Sequence, residues 1–170
     1  KSLIALTILL LFGFSAFGQQ LVTFAEVDKS QQENGLEFIK YKEKPFNGTI
    51  VESFQNGNPK SRISVKNGLF EGLWQEWTEQ GVLKFSAWWK AGKGHGNWYY
   101  FYDNGVIRQE EFYDMDIPVG IFRDYYNNGQ VKAISSFLKG QKHGVWTYFS
   151  ESGILTKTEW YENDTLLKTE

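Results

Sequence analysis

Cysteine is absent from the 170 residues. That excludes a disulfide framework, a thiolate metal site and a cysteine nucleophile. Histidine occurs twice, methionine once and proline three times. Charge of one sign is also missing: 18 basic residues face 20 acidic ones, for a formal net charge of -2. Such a balance gives no whole-protein attraction to nucleic acid or to anionic lipid. No glycine-rich loop precedes a helix-like run, so a phosphate cradle is not expected. What is abundant is aromatic: 7 Trp, 9 Tyr and 14 Phe, with 17 Gly. One domain of ordinary size is expected from the length.

Residues 1–18 differ from the rest. Lys1 opens a short basic start, and residues 3–14 are almost wholly apolar. The run is short for a membrane helix, which needs about 20 residues. Ala16 and Gly18 are small and Gln19 follows, which fits a signal-peptidase site. The expectation is a signal peptide over 1–18, cleaved near Gly18, and an exported mature chain: periplasmic, cell-surface or secreted. An uncleaved anchor is the alternative. Residues 19–35 are polar and are expected to form a loosely held, flexible arm.

From residue 36 onward the chain repeats. GNWYYFYDNGVIRQEEFYDMDIPV, from Gly96, is followed directly by GIFRDYYNNGQVKAISSFLKGQKH. Glycines stand at 48, 72, 96, 120 and 144, and again at 57, 81, 105, 129 and 153, each 24 apart. A third row reads Gly68, Gly92, Asp116, Gly140, Asp164. A fixed period in this range is the signature of a repeat architecture. Asn56, Asn104 and Asn128 precede the second glycine, a strong hairpin signal. The runs between glycines are rich in aromatic and β-branched residues, as strands are. Each unit therefore reads as strand, tight turn, strand, looser turn. A half repeat over 36–47 and repeats from 48, 72, 96, 120 and 144 predict an all-β, single-layer antiparallel meander of about ten strands. Five repeats would span roughly 50 Å, because neighbouring strands lie ~4.8 Å apart.

A one-layer sheet must cover itself, and large aromatic rings do this best. Trp74, Trp98 and Trp146 stand at an even offset in the unit; Trp77, Phe101 and Tyr125 stand at an odd one. Successive strand residues point to opposite faces, so both faces are expected to carry rings. These six are the candidate binding residues. Lys60, Lys84, Arg108 and Lys132 form a basic row. If the tight turn holds two residues, Lys84, Arg108 and Lys132 fall opposite Trp77, Phe101 and Tyr125. Their stems would then cover rings; the other reading is a basic stripe for phospholipid or an acidic partner.

The repeats resemble the MORN-type repeat in its bacterial variant. GLWQEWTEQGVLKFSAWWKAGKGHG, GNWYYFYDNGVIRQEEFY and GVWTYFSESGILTKTEWY carry the likeness. The third unit departs from it, with Asp116, Pro118 and Val119 where other units have glycine and histidine. The resemblance implies an interaction or membrane-associated module, and the YwqK-like antitoxin family in particular, with a toxin as partner.

No catalytic residues, cofactor or metal site are expected. His95 and His143 share a repeat position two units apart, ~19 Å by strand spacing, too far for one metal. Glu110 and Glu111 are adjacent and should face opposite ways. Asp114 and Asp116 lie in a turn. Two glycosylation sequons, at Asn47 and Asn163, matter only in a source that glycosylates. The expected function is non-enzymatic protein–protein interaction with another exported or envelope protein. The alternative is a polysaccharide or membrane surface bound by rows of rings. Nucleic acid is not an expected partner, and the oligomeric state is open.

Overall fold

The computed structural model describes residues 20–31 and 35–170. The signal-peptide expectation over 1–18 lies outside these residues. Among them there is no α-helix, only a short 3-10 turn at Phe24–Glu26. Strands follow one another as β1 (Gln20–Val22), β2 (Asp28–Gln31), β3 (Glu37–Tyr41), β4 (Lys44–Pro45), β5 (Gly48–Ser53), β6 (Pro59–Lys66), β7 (Leu69–Trp77), β8 (Leu83–Lys90) and β9 (Lys93–Phe101). Then come β10 (Ile107–Asp114), β11 (Ile117–Pro118), β12 (Gly120–Tyr125), β13 (Val131–Leu138), β14 (Gln141–Lys142), β15 (Gly144–Phe149), β16 (Leu155–Glu162) and β17 (Thr165–Thr169). From β5 to β17 the sheet is the expected antiparallel meander, each long strand paired with the next.

The two turns exchange the roles assigned to them from sequence. The connection through Asn67 and Gly68 is the tight one. Both residues have positive φ, at 50° and 78°, and Lys66 pairs directly with Leu69. This is a two-residue turn of the primed type, whose twist matches the strands it joins. The Asn-Gly row makes a wider loop. Gly57 N–H donates to Phe54 O and Phe54 N–H to Asn58 O. Gly57 alone turns left-handed there, and the ladder slips by one residue between Glu52 and Ser53. The asparagine serves another purpose. Its Oδ1 accepts the N–H two residues on, as Asn56 does from Asn58 and Asn104 from Val106. Its Nδ2 reaches across to the next loop, from Asn56 to Glu79 O and from Asn104 to Asn127 O.

The opposite edge is tied in the same way. Gly92 N–H donates to Phe70 O, Asp116 N–H to Gly94 O and Gly140 N–H to Pro118 O, 2.8–3.0 Å. The two units with aspartate for glycine gain a bond there. Asp116 Oδ1 accepts Gly94 N–H at 2.6 Å, and Asp164 Oδ1 accepts Lys142 N–H at 2.8 Å. Aspartate tolerates the left-handed turn better than most residues, and its carboxylate stitches one turn to the previous one.

The start of the array departs from the simple repeat. β3, the half unit, does not join the main sheet; it pairs with β2 and β4 in a three-stranded sheet. β1 pairs in parallel with β5 instead, Gln20 opposite Gly48 and Val22 opposite Ile50. The stretch expected to be a loose arm thus supplies strands at 20–22 and 28–31. The reason is burial: Val22, Ile39, Phe46, Ile50, Ile63, Val65 and Phe70 form the buried core at this end. Burying one such side chain contributes about 1.5–3 kcal/mol, and the first hairpin alone has no rings to cover it. Solenoids need such a cap on the terminal repeat. At the other end β17 is paired with β16 and exposed along its whole length.

Candidate functional site

One face of the sheet carries a continuous file of rings. Phe70, Trp74, Trp89, Trp98, Tyr113, Phe122, Phe137, Trp146 and Tyr161 follow each other at centroid separations of 4.7–5.6 Å. Tilted and edge-on pairs at these distances are the favoured aromatic geometries. The ladder replaces the missing second layer with side chains of the sheet itself. Phe85 joins it from the side, against Trp98 and Tyr100.

Trp74, Trp98 and Trp146, three of the six candidate binding residues, are members of this ladder. Trp77, Phe101 and Tyr125 stand on the other face, as alternation requires, and are half-buried. Tyr125 O–H donates to Glu110 Oε2 at 2.9 Å, and Arg123 pairs with the same carboxylate at 3.6 Å. Burial, with the Glu110 bond and charge, pushes the Tyr125 hydroxyl up to about 12.

The expected opposition of the basic row and these rings is corrected by the loop bulge. Trp77 pairs with Leu83, Phe101 with Ile107 and Tyr125 with Val131. Arg108 instead stands over Tyr100, 5.5 Å from the centroid, and Lys132 over Tyr126 at 5.8 Å. Lys60 pairs with Glu52 at 3.4 Å. Three of the four are therefore engaged within their units, and Lys84 alone of the row is exposed without a partner among the described residues, so the row is not a free stripe.

Five of the large apolar residues that stay exposed were not singled out from the sequence; the others are Leu21, Ile117, Ile154, Leu155, Leu166 and Leu167. Trp88 is 53 % exposed, Phe112 40 %, Ile121 46 %, Leu138 48 % and Val145 46 %. Each is the chain neighbour of a ladder ring: Trp88 of Trp89, Phe112 of Tyr113, Ile121 of Phe122, Leu138 of Phe137, Val145 of Trp146. Alternation then places all five on the face away from the ladder. The signal was in the sequence, in pairs such as Trp88-Trp89 and Phe112-Tyr113, where each face receives one apolar residue.

The ladder face also carries polar groups. Glu159 is 9 % exposed and accepts from Tyr148 and Tyr161 hydroxyls at 2.9 and 3.1 Å and from Lys157 at 2.9 Å. The Lys157 bond, then the Tyr148 bond, holds its carboxyl below the usual range. Glu111 is its equivalent two units earlier. Burial pushes the Glu111 carboxyl up, against the Tyr113 hydrogen bond at 3.0 Å. Two pH effects of opposite sign follow. Glu159 contributes stability above the unfolded carboxylate pKa and loses it as pH falls through its folded value. Glu111 carries a penalty when ionised, which disappears as pH falls. Glu159→Gln is expected to lower the urea midpoint at neutral pH and flatten its fall in acid. Glu111→Gln is expected to raise the midpoint at neutral pH.

Histidines and turn acids do not converge. His95 Nδ1 lies 3.2 Å from Asp114 Oδ1, and His143 N–H donates to Ser136 O. Among the described residues no three metal-ligating side chains gather. A cavity of about 350 Å³ opens between β10 and β12, and one of about 400 Å³ is lined by Glu76, Lys84, Phe85, Tyr100, Phe101 and Arg108.

The family model described as MORN repeat variant matches residues 94–115 and 118–139. Two adjacent units match the MORN repeat. The first covers the β9–β10 hairpin and the second the β12–β13 hairpin. The units from 72 and 144 keep the same turns and ladder rings, and the unit from 48 keeps the turns with Ile50 and Val65 at the ring positions, so the array is a MORN-like β-meander. A comparison with curated proteins finds no match.

Proposed function

We propose that this chain is a non-enzymatic recognition module that binds another protein of the cell envelope after export. MORN repeats are commonly protein- or membrane-interaction modules, and two units match that family. The observation that supports a protein contact is the apolar file formed by Trp88, Phe112, Ile121, Leu138 and Val145 on the face opposite the ladder. Half-exposed large apolar groups gathered on one face mark contact surfaces. Tryptophan is the residue most enriched among interface anchors. The file advances ~9.5 Å per unit, because each unit adds two strands, so it suits an extended partner better than a small ligand. Export rests on the composition of residues 1–18. The finer assignment carried by the resemblance, an antitoxin-like contact with a toxin, uses the same mode of action.

The test is capture from an envelope fraction by the wild-type chain and by a Trp88→Ser/Phe112→Ser variant. The expected result is a partner retained by the wild type and lost by the variant, whose urea midpoint is unchanged. Sequencing the recovered partner decides whether it is a toxin. Capture of nothing above background by the wild type contradicts the proposal. Retention on a glycan array or co-sedimentation with liposomes, in place of protein capture, points to the surface-binding alternative.

A further inference from the structure

The cavity between β10 and β12 lies where the ladder skips one pair and the side chains above it are small. β12 pairs with β10 at Gln109 with Asp124 and Glu110 with Arg123, and β11 pairs with it at Tyr113 with Pro118 and Asp114 with Ile117, so the ladder skips Glu111 and Phe122. The seam between β8 and β9 fills that position with Ala87 paired to Trp98, whereas the seam between β13 and β15 skips it too, beneath Trp146 and Tyr148. Smaller groups stand here: Phe122 where three other units have tryptophan, and Asp124 where two have tyrosine. The gap of about 350 Å³ is lined by Glu111 and Asp124, by the Glu110–Arg123 pair at one side, and by the rings of Tyr113, Phe122, Phe137 and Trp146. We infer that this slot binds an alkylammonium group, its charge between Glu111 and Asp124 and its stem against the rings.

The repeat supplies its own comparison. Two units later, the Lys157 ammonium lies 2.9 Å from Glu159 Oε1 and 4.0 Å from the centre of the Tyr148 ring. In the third unit Glu111 and Tyr100 stand at the positions of Glu159 and Tyr148, but Gln109 stands at that of Lys157. Glu111 forms no ion pair among the described residues and keeps a single tyrosine bond. The cations nearby are engaged elsewhere: Arg123 with Glu110, and Arg108 over Tyr100, from which its charge reaches Glu111 only through space. The ladder rings also take ammonium groups elsewhere. Lys142 lies over both Trp146 and Tyr161, at 4.6 and 4.9 Å. Pro118, its equivalent one unit earlier, leaves Phe122 and Phe137 without a cation. A carboxylate short of partners beside aromatic faces is the usual recognition chemistry for ammonium ligands. In the third unit Arg108 already covers the Tyr100 ring, so the acceptor left without a cation is Glu111, on the side of Asp124.

The same chemistry could arrive as a free amine or as a lysine side chain, and two probes separate them. Titration of the full chain with n-butylammonium and with Nα-acetyl-lysine methylamide is followed by amide shifts at Glu111, Phe122 and Asp124. Saturable shifts are expected with both, and none with the neutral Nε-acetylated lysine derivative. Tighter binding of the lysine derivative assigns the source to a protein; equal or weaker binding assigns it to a free amine. Gln109→Lys is expected to fill the slot from within, as Lys157 does, and to weaken binding at least tenfold. Glu111→Gln is expected to do the same while raising the urea midpoint, so its loss of binding is not a loss of fold. Unsaturable shifts in the wild type, or saturable ones unchanged by both variants, overturn the inference. Partner capture through the opposite face is measured separately, so either reading can fail without the other.

Discussion

Replacing Trp98 by alanine is expected to cost about 3 kcal/mol, the lower end for a large ring because the side chain is half-buried. Trp98 is the fourth of the nine ladder rings. It touches Trp89 at 5.2 Å, Tyr113 at 4.8 Å and Phe85 at 5.6 Å, and its indole N–H donates to Trp88 O at 3.1 Å. No second layer can collapse into the gap. In a repeat array each unit is held by its neighbours, so the variant should separate the capped N-terminal units from the rest. Urea unfolding followed by circular dichroism should show a lower midpoint and a shallower or two-step transition. Trp88→Ala, one residue away on the other face and 53 % exposed, should leave the transition sharp and shift it little.

Gly68→Ala is the second large effect, roughly 2–5 kcal/mol when the left-handed strain is added to overpacking. Gly68 has φ +78°, and an added Cβ would lie 2.5 and 2.6 Å from Phe38 ring carbons and 2.9 Å from Ile39 O. The backbone cannot retreat. Ile39 N–H donates to Gly68 O at 2.7 Å and Gly68 N–H to Phe46 O at 2.9 Å. These bonds fasten the small N-terminal sheet to the array. Gly81→Ala is the control: φ is +85° and nothing lies within 4 Å, so the strain term alone, about 1–2 kcal/mol, applies. Equal urea midpoints for the two variants would mean that the cap is not seated on this turn.

The period, the strand positions and the alternation of faces were legible because glycine and aromatic rows recur without interruption. Turn type was not. Asn-Gly is compatible with a two-residue turn and with a wider loop, and here the asparagine side chain, not its φ, decides. The true two-residue turns carry pairs as varied as Ala91-Gly92 and Met115-Asp116, which the loop signal does not pick out. With the turns exchanged, the basic row moved off its expected partners by one residue. The N-terminal strands were hidden because Gln20–Val22 and Asp28–Gln31 are short and lie in a polar stretch; they form because the first hairpin offers them an apolar surface. The candidate site divided in a similar way. Trp74, Trp98 and Trp146 were conspicuous as large rings, but rings in register cover each other. The exposed file draws on several less regular rows: Trp88 and Phe112 share one repeat position, Ile121 and Val145 another, and Leu138 a third.

The most direct measurement is the far-ultraviolet circular dichroism of coupled indoles, because Trp89 lies 5.6 Å from Trp74 and 5.2 Å from Trp98 along the ladder. An exciton couplet is predicted for the wild type, unchanged in Trp88→Phe and abolished in Trp89→Phe. A wild-type spectrum without the couplet, or one that depends on Trp88 as much as on Trp89, would contradict the self-covered ladder.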